Sequence, residues 1–512
     1  MKARKMFCVV LVILLAFAGI VTGCSSEEEN IPEAQEKSAP SSDPSSDGDT
    51  SEELEPVELL FYMIGTPARD LDKVFEEVSK YTKEKINATV NMVMYDWGEY
   101  NQRMQVIVNS GEQFDICFTS SWANDYRANA ERGAFLEIND LLDEYGQDIK
   151  EVLNPSFLTG SQINGKNYAV PVNKELGAQA VWNVNVNIAE KYGIDYQQFT
   201  DLASLEPALE KVKQGEGAGL VPFLPSGDWL VGTLPFDQII PWFGVQFDSM
   251  NPDSVDYEVV NMAETSEFEE FVKTMRHYYQ KGYVREDIVT NPERSFDLDR
   301  TGDWFISAYH YMPYHEIADS ANRGYPVDVV KNLENPVTRT GSVTGSMHAI
   351  SVTSDNPERA MMFLNLLNSD KELRVLVGSG IEGEHYEIED GRQVRLEAGI
   401  DNYGMPEFAL GNVFLNNLTK GEPEDKWEAF EEFNDAAVDA PTLGFWVDTD
   451  NIQNEIAAIN NVTQEYVAII TNGLVDPDKY LPEFIEKMND AGSDKVVAEL
   501  QEQLNDWLEN NN

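Results

Sequence analysis

The 512-residue chain is poor in positive charge: 37 Lys and Arg stand against 90 Asp and Glu, a formal net charge of −53. A protein that grips nucleic acid needs a cationic stripe to displace counterions from phosphates, and no such stripe occurs, so that class is excluded. Electrostatic adhesion to anionic lipid headgroups is disfavoured on the same ground. Cysteine is nearly as scarce. Cys8, Cys24 and Cys117 are spaced 16 and 93 residues apart, which is neither a disulfide framework nor a metal knuckle. The five histidines form no H-E-x-x-H, and there is no G-x-G-x-x-G, no Walker-type phosphate loop and no G-x-S-x-G elbow. Asp297 to Asp303 begins like a calcium loop, but Ala308 stands at the twelfth position, where a bidentate Glu is required. The longest apolar run, Met6 to Ile20, has 15 residues, short of the roughly 20 a membrane span needs. What remains, 42% hydrophobic and 11% aromatic residues, excludes wholesale disorder. The length predicts about three folded units.

The short cationic stretch Met1 to Lys5, the apolar run behind it and Val21-Thr22-Gly23-Cys24 read as a signal peptide over residues 1–23. Small residues before a cysteine resemble the lipobox of bacterial lipoprotein precursors, which implies cleavage before Cys24 and lipid on its sulfur. Two acyl chains there hold a protein stably at a membrane where one does not. Between residues 25 and 55, eleven acidic residues face one lysine; Ser, Pro, Asp and Glu dominate, and a disordered, self-repelling spacer is expected. Cys117, inside Phe114-Asp115-Ile116-Cys117-Phe118, reads as a buried thiol.

From Pro56 the pattern changes. A strand over Val57–Ile64, a helix over Arg69–Ile86, a strand over Ala88–Tyr95, a helix over Tyr100–Asn109 and a strand over Phe114–Phe118 give a β-α-β-α-β order. That order predicts an α/β fold with parallel strands and right-handed crossovers. Ligands of such sheets sit beyond the carboxyl ends of the strands, where Tyr62, Asp96 with Trp97, and Ser121 with Trp122 stand. Further strands are expected over Ala180–Val186, Asp303–Tyr311 and Ser346–Val352, and helices over Glu267–Lys281, Glu358–Leu367, Gln453–Ile470 and from Leu481 onward.

The segment Gly345 to Asp370 (GSMHAISVTSDNPERAMMFLNLLNSD) resembles the strand-helix signature of extracellular solute-binding proteins of ABC importers. Gly380 to Glu387, Pro441 to Val462 and Val475 to Pro482 are similar to the family-1, sugar-type branch with its extra C-terminal domain. The resemblance implies a two-lobed periplasmic-binding-protein-like clamp of type II, with hinge-linked lobes and a helical C-terminal segment. The expected boundaries are 56–172 with 327–352 for lobe 1, 173–326 with 353–430 for lobe 2, and 431–512 packed on lobe 2. It further implies capture of a carbohydrate, an oligosaccharide by expectation, in the interlobe cleft, and delivery to membrane permease subunits. Sugar rings offer apolar C–H faces to aromatic side chains and hydroxyls to polar ones. Trp182, Tyr309-His310-Tyr311 and Phe445-Trp446 join the strand-end residues as candidates, the last two groups because they resemble the stacking positions of maltose-binding-type proteins. The expectation is a monomer, anchored through Cys24 to the outer face of a Gram-positive cell membrane, without catalysis, cofactor or metal. A ligand-presenting partner of a membrane sensor and a lipid-anchored polysaccharide-processing enzyme are the alternatives.

Overall fold

The computed structural model describes residues 54–225 and 228–511; the expected signal peptide, Cys24 and all of the spacer but residues 54 and 55 lie outside the described residues. The strand Val57–Ile64 is buried along most of its length, as a strand flanked on both sides must be. It pairs in parallel with Ala88–Tyr95, from Val57 opposite Ala88 to Ile64 opposite Tyr95, and on its other side with Ile116–Thr119. Ala88–Tyr95 alternates buried and half-exposed residues, the period of an edge strand with one face on a core. Met347–Ile350 and then Ala169–Pro171 complete the five-stranded sheet in antiparallel sense. The helix Leu71–Ile86 connects the first two strands, burying Leu71, Val74, Phe75, Val78 and Ile86 on one face. It stops at Asn87, whose left-handed backbone returns its N–H to the Lys83 carbonyl.

A second sheet, in the order Val327–Val330, Gln179–Asn185, Trp304–Tyr311, Val221–Leu224, anchors a separate core that includes Trp182, Phe223, Phe305 and Ile306. The helix Ser266–Gln280, capped by the Thr265 hydroxyl on the Phe268 N–H, covers it. The C-terminal helices Gln453–Thr471, Pro477–Asp490 and Ser493–Asn511 contribute Tyr466, Phe484 and Leu500 to this same core. The fold is therefore a two-lobed α/β clamp.

The sheets divide the chain differently from the boundaries expected above. Val327–Val330, expected in lobe 1, is an edge of the second sheet, bonded to Gln179–Asn185. The helices Pro357–Ser369 and Lys371–Ser379, expected in lobe 2, bury Met361, Phe363, Leu364, Leu367 and Leu373 in the first core. The physical reason is adjacency: a helix that follows a strand directly packs back on that strand's own sheet. Asp297 and Asp299 lie in the helix Glu293–Thr301 and pair with Arg300 and Arg323, so no calcium loop forms there.

Three segments cross between the lobes and are bonded to one another. Ala178 and Val337 exchange both backbone hydrogen bonds at 2.8 Å. Val438 donates to the Pro336 carbonyl at 2.8 Å, and Asn173 pairs with Gly411 and Val413 at 2.9 Å each. A few extended residues per crossing, bonded across to each other, form a hinge, with Asn173 and Asn412 tied back to the first lobe through the Val152 and Asn368 carbonyls.

Cys117 is fully buried in the first sheet, where desolvation pushes its thiol well above the usual range. A chain in which Cys8 and Cys24 are replaced should show no thiol reactive toward a disulfide reagent at pH 8 while folded, and one after denaturation. Rapid labelling of the folded protein would contradict this packing.

Candidate functional site

The turn after Ala88–Tyr95 carries Asp96 and Trp97. The Asp96 carbonyl accepts from the Glu99 and Tyr100 N–H groups at 2.8 and 3.0 Å, which opens the next helix and leaves Trp97 outside it. After Ile116–Thr119, the Ser120 hydroxyl accepts from Ala123 N–H at 2.8 Å and tightens the turn that lifts Trp122. Ser121 is tied by its backbone N–H to the Thr344 carbonyl at 2.9 Å, and the Trp122 indole N–H donates to the Gly345 carbonyl at 2.7 Å. Trp97 and Trp122 lie nearly parallel, 21° apart with ring centres at 6.3 Å. Phe408 continues the row on the far side of Trp97, at 6.2 Å and 20°. The three rings are 44%, 48% and 42% exposed, a shelf of aromatic surface backed by Phe118, which packs on Trp122 with ring centres at 5.7 Å. Isolated exposed apolar residues are ordinary, but three near-parallel exposed rings from separate segments, stacked in a row, make a candidate binding surface.

Phe408 was absent from the candidates because its position depends on remote packing. It lies in the single turn Glu407–Ala409, pinned from beneath by Arg374, which is wholly buried. Arg374 donates from Nε to the Leu410 carbonyl at 3.0 Å and from Nη2 to the Glu407 carbonyl and carboxylate at 3.2 and 2.9 Å. His348 adds a bond from Nε2 to the Ala409 carbonyl at 2.9 Å. Burial drops this imidazole to about 4, so it is neutral at physiological pH with its hydrogen on Nε2.

The remaining candidates separate into two groups. Tyr62, Trp182, Tyr311 and Phe445 are buried and present no open ring face. Tyr62 stacks on Tyr95, and burial together with the Glu112 carboxylate pushes its hydroxyl up to about 12. Trp182 packs on Phe223, Tyr311 lies beneath Lys331 and against Phe433, and Phe445 packs on Trp507. Tyr62, Trp182 and Tyr311 sit within strands whose rings are taken into the cores, and Phe445, a candidate by resemblance and outside any strand, is drawn inward with Trp507. Asp96 is exposed beside the shelf, within 3.4 Å of the Thr66 hydroxyl. His310 is half-buried at the end of Trp304–Tyr311, where that strand meets the chain arriving from the hinge; burial holds its imidazole below the usual range, with Glu175 opposing. Near it the hinge supplies the Lys174–Glu175 pair at 2.7 Å and Glu334, which accepts from the Ala180 N–H at 2.6 Å. Trp446 is half-buried against Tyr126, with Arg127 over its ring at 5.7 Å.

Asp70, Glu384 and His385 bring their oxygen and nitrogen atoms within 4.8 Å of one another. The donor chemistry does not suit a metal. His385 Nδ1 accepts from the Ile381 N–H at 2.9 Å, so Nε2 carries the hydrogen and gives it to Asp70 at 3.2 Å. Glu384 is paired with Lys73.

An aromatic shelf on one lobe, polar groups at the hinge and a second lobe beyond define a solute-binding clamp. The chain belongs to the bacterial extracellular solute-binding proteins, whose family profile matches residues 65–373; a domain of unknown function, DUF3502, matches residues 441–509. It is 31% identical over 458 residues to a carbohydrate ABC transporter substrate-binding protein of Streptococcus pneumoniae, covering 88% of this chain and 91% of that protein. It is 21% identical to lipoprotein LipO of Bacillus subtilis, covering 84% and 88%. Among solved structures, the N-glycan transport solute-binding protein NgtS of S. pneumoniae matches with a TM-score of 0.77 at 30% identity, covering 90% of this chain and all of that one. The complex of NgtS with Man5GlcNAc matches with a TM-score of 0.63 at 30% identity over the same shares.

Replacing Arg374 by Met leaves the Glu407 and Leu410 carbonyls without their donor, a cost of about 3 kcal/mol. Urea unfolding should show that loss, and amide exchange over residues 405–411 should accelerate. A variant as stable as the parent, with unchanged exchange in this turn, would show that Arg374 does not hold the shelf.

Proposed function

We propose that this protein captures a neutral oligosaccharide on the shelf of Trp97, Trp122 and Phe408, closes its second lobe over it, and hands it to the permease of an ABC importer. The shelf is the observation that carries the reading. Exposed rings set in a row bind the C–H faces of successive sugar units, and a row of three has room for a chain of units rather than a single monosaccharide. The hinge groups Glu175, Glu334 and His310 provide acceptors and donors for hydroxyls on closure. Among the described residues no basic side chain lies over any of the three rings, which disfavours an anionic solute. The relatives that transport carbohydrate and N-glycan support the ligand class. Binding alone is proposed, without hydrolysis.

The protein acts, in this reading, as a monomer held at the outer face of the membrane by lipid on Cys24. No helix of the described residues is long and apolar enough to cross a membrane, and the Bacillus lipoprotein relative is consistent with such an anchor.

Isothermal titration with Man1GlcNAc, Man5GlcNAc and a panel of neutral plant and host glycans tests the ligand. Trp97→Ala or Trp122→Ala should weaken the bound member by about 2 kcal/mol, roughly thirtyfold in Kd, with product analysis showing the glycan intact. A Trp97→Ala, Trp122→Ala, Phe408→Ala chain that binds as tightly as the parent sinks the assignment. For the anchor, Cys24→Ser should move the protein from the membrane to the soluble fraction; retention of an acylated N-terminus in that variant would refute it.

A further inference from the structure

A second concavity lies where the first lobe meets the C-terminal helix. It has a volume of about 570 Å³ and is walled by the Thr159–Gly165 loop, the Leu443–Trp446 segment and the helix Ser493–Asn511, within the range of small-ligand sites. Trp446 and Trp507 both line it and both are half-buried. The Trp446 indole N–H is shielded from water and has no hydrogen-bond partner among the described residues, and an unmet buried donor is costly. Gln162 and the exposed Asn164 add amide groups at the rim. Asn164 is held there by a left-handed backbone in a tight turn with Gly165, which brings Ile163 opposite Lys166. Asp506 is the one charged residue lining the cavity. Two indoles, two amides and one acid suit a neutral polyol with apolar faces; the nearby Arg127, over the Trp446 ring, is already paired with Glu131 and the Val447 carbonyl, so it does not stand ready for a phosphate or carboxylate.

The concavity is coupled to the shelf. The short helix Thr340–Val343 stands between them: just past its end, the Gly345 carbonyl accepts from Trp122, while the Thr340 hydroxyl accepts from the Gly444 N–H at 2.9 Å. Its Val343 side chain packs into the space over Gly160 beside Leu443, where a Cβ would meet both within 2.7 Å. The walls come from both lobes. Thr159–Gly165, Leu443 and Trp446 pack with the first core, while Phe445, which packs on Trp507, belongs to the second. Hinge rotation therefore moves Trp507 relative to Trp446 and reshapes this cavity.

Resting on the carbohydrate reading above, we infer that the C-terminal domain builds a second sugar subsite here, between Trp446 and Trp507, which holds the distal units of an oligosaccharide whose proximal units lie on the shelf. The domain matched as DUF3502 is then part of the ligand clamp and determines the length of glycan retained.

The test is indole ¹H–¹⁵N spectroscopy of the full folded chain, titrated with Man1GlcNAc and with Man5GlcNAc, with signals assigned by single Trp→Phe variants. Man1GlcNAc should shift Trp97 and Trp122 alone. Man5GlcNAc should also shift Trp507 and move the Trp446 N–H downfield as it gains an acceptor. Trp507→Ala should weaken Man5GlcNAc at least tenfold and leave Man1GlcNAc within twofold. Gln162→Ala and Asp506→Asn, at the rim, should show the same length-selective loss of three- to tenfold should Trp507→Ala fail to fold. Saturation by Man5GlcNAc with Trp446 and Trp507 unmoved overturns the subsite and leaves the shelf. Shifts of Trp446 and Trp507 with Trp97 and Trp122 silent preserve the subsite and overturn the shelf. Silence of all four indoles with both glycans overturns both.

Discussion

A guanidinium group with no access to water has to find its acceptors inside the protein, and Arg374 finds them in the backbone of one short turn. The carbonyls of Glu407 and Leu410 and the Glu407 carboxylate converge on it, and the neutral His348 holds the carbonyl between them. A buried charge that lost these partners would destabilise the first lobe strongly, so the turn has little freedom to move. Phe408 leaves this fixed turn and meets Trp97, whose own position is set by the sheet. Two scaffolds more than 300 residues apart in sequence are thereby brought into one row of near-parallel rings. A surface assembled from loops would be too loose to hold that row; one assembled on a strand end and a pinned turn is preorganised.

The hinge imposes the complementary constraint. The three crossings are bonded to one another through Ala178 with Val337, Val438 with Pro336 and Asn173 with Gly411 and Val413. Each lobe keeps its own sheet and core, and rotation about the crossings breaks neither. The same arrangement places the polar groups Lys174, Glu175 and Glu334 in or beside the crossings, where the lobes converge. Burial raises Glu334 against the pull of Arg339, which marks this region as already partly shielded from water before any ligand arrives.

The part of the site that could be read from sequence is the part that follows from strand order. Once Val57–Ile64, Ala88–Tyr95 and the strand ending at Thr119 are recognised as parallel, Trp97 and Trp122 must lie at one edge of the sheet, and they do. Tyr62 failed the same argument because it sits within its strand rather than beyond its end, so its ring is committed to Tyr95 and Phe114. Phe408 was illegible for a different reason. Nothing in Pro406-Glu407-Phe408-Ala409 differs from an ordinary surface loop, and Arg374 in the sequence looks like any charged helix residue; only tertiary packing shows that it is buried. The lobe boundaries were misread where a helix could pack on either sheet, since amphipathic spacing reports that a face is buried and is silent about which core buries it. Trp182 and Phe445 lost out to the general demand for large rings in a core.

In the proposed reading, the location of the shelf sets the order of events in capture. All three rings are anchored in the first lobe, so an oligosaccharide can dock before the lobes close and needs no prior rearrangement. The second lobe brings different chemistry, the half-buried His310 near Glu334 at the hinge and the indole of Trp507 at the far wall, opposite the first-lobe Trp446. A ligand shifts the hinge only by its differential affinity for the closed state, and the first-lobe rings bind alike in both states. The free energy that closes the clamp must therefore come from the second-lobe contacts, which a glycan too short to reach them does not make. Affinity and closure are thus assigned to separate surfaces. A solute can be held by the shelf without presenting the closed form to a permease, and length becomes a criterion for transport as well as for binding.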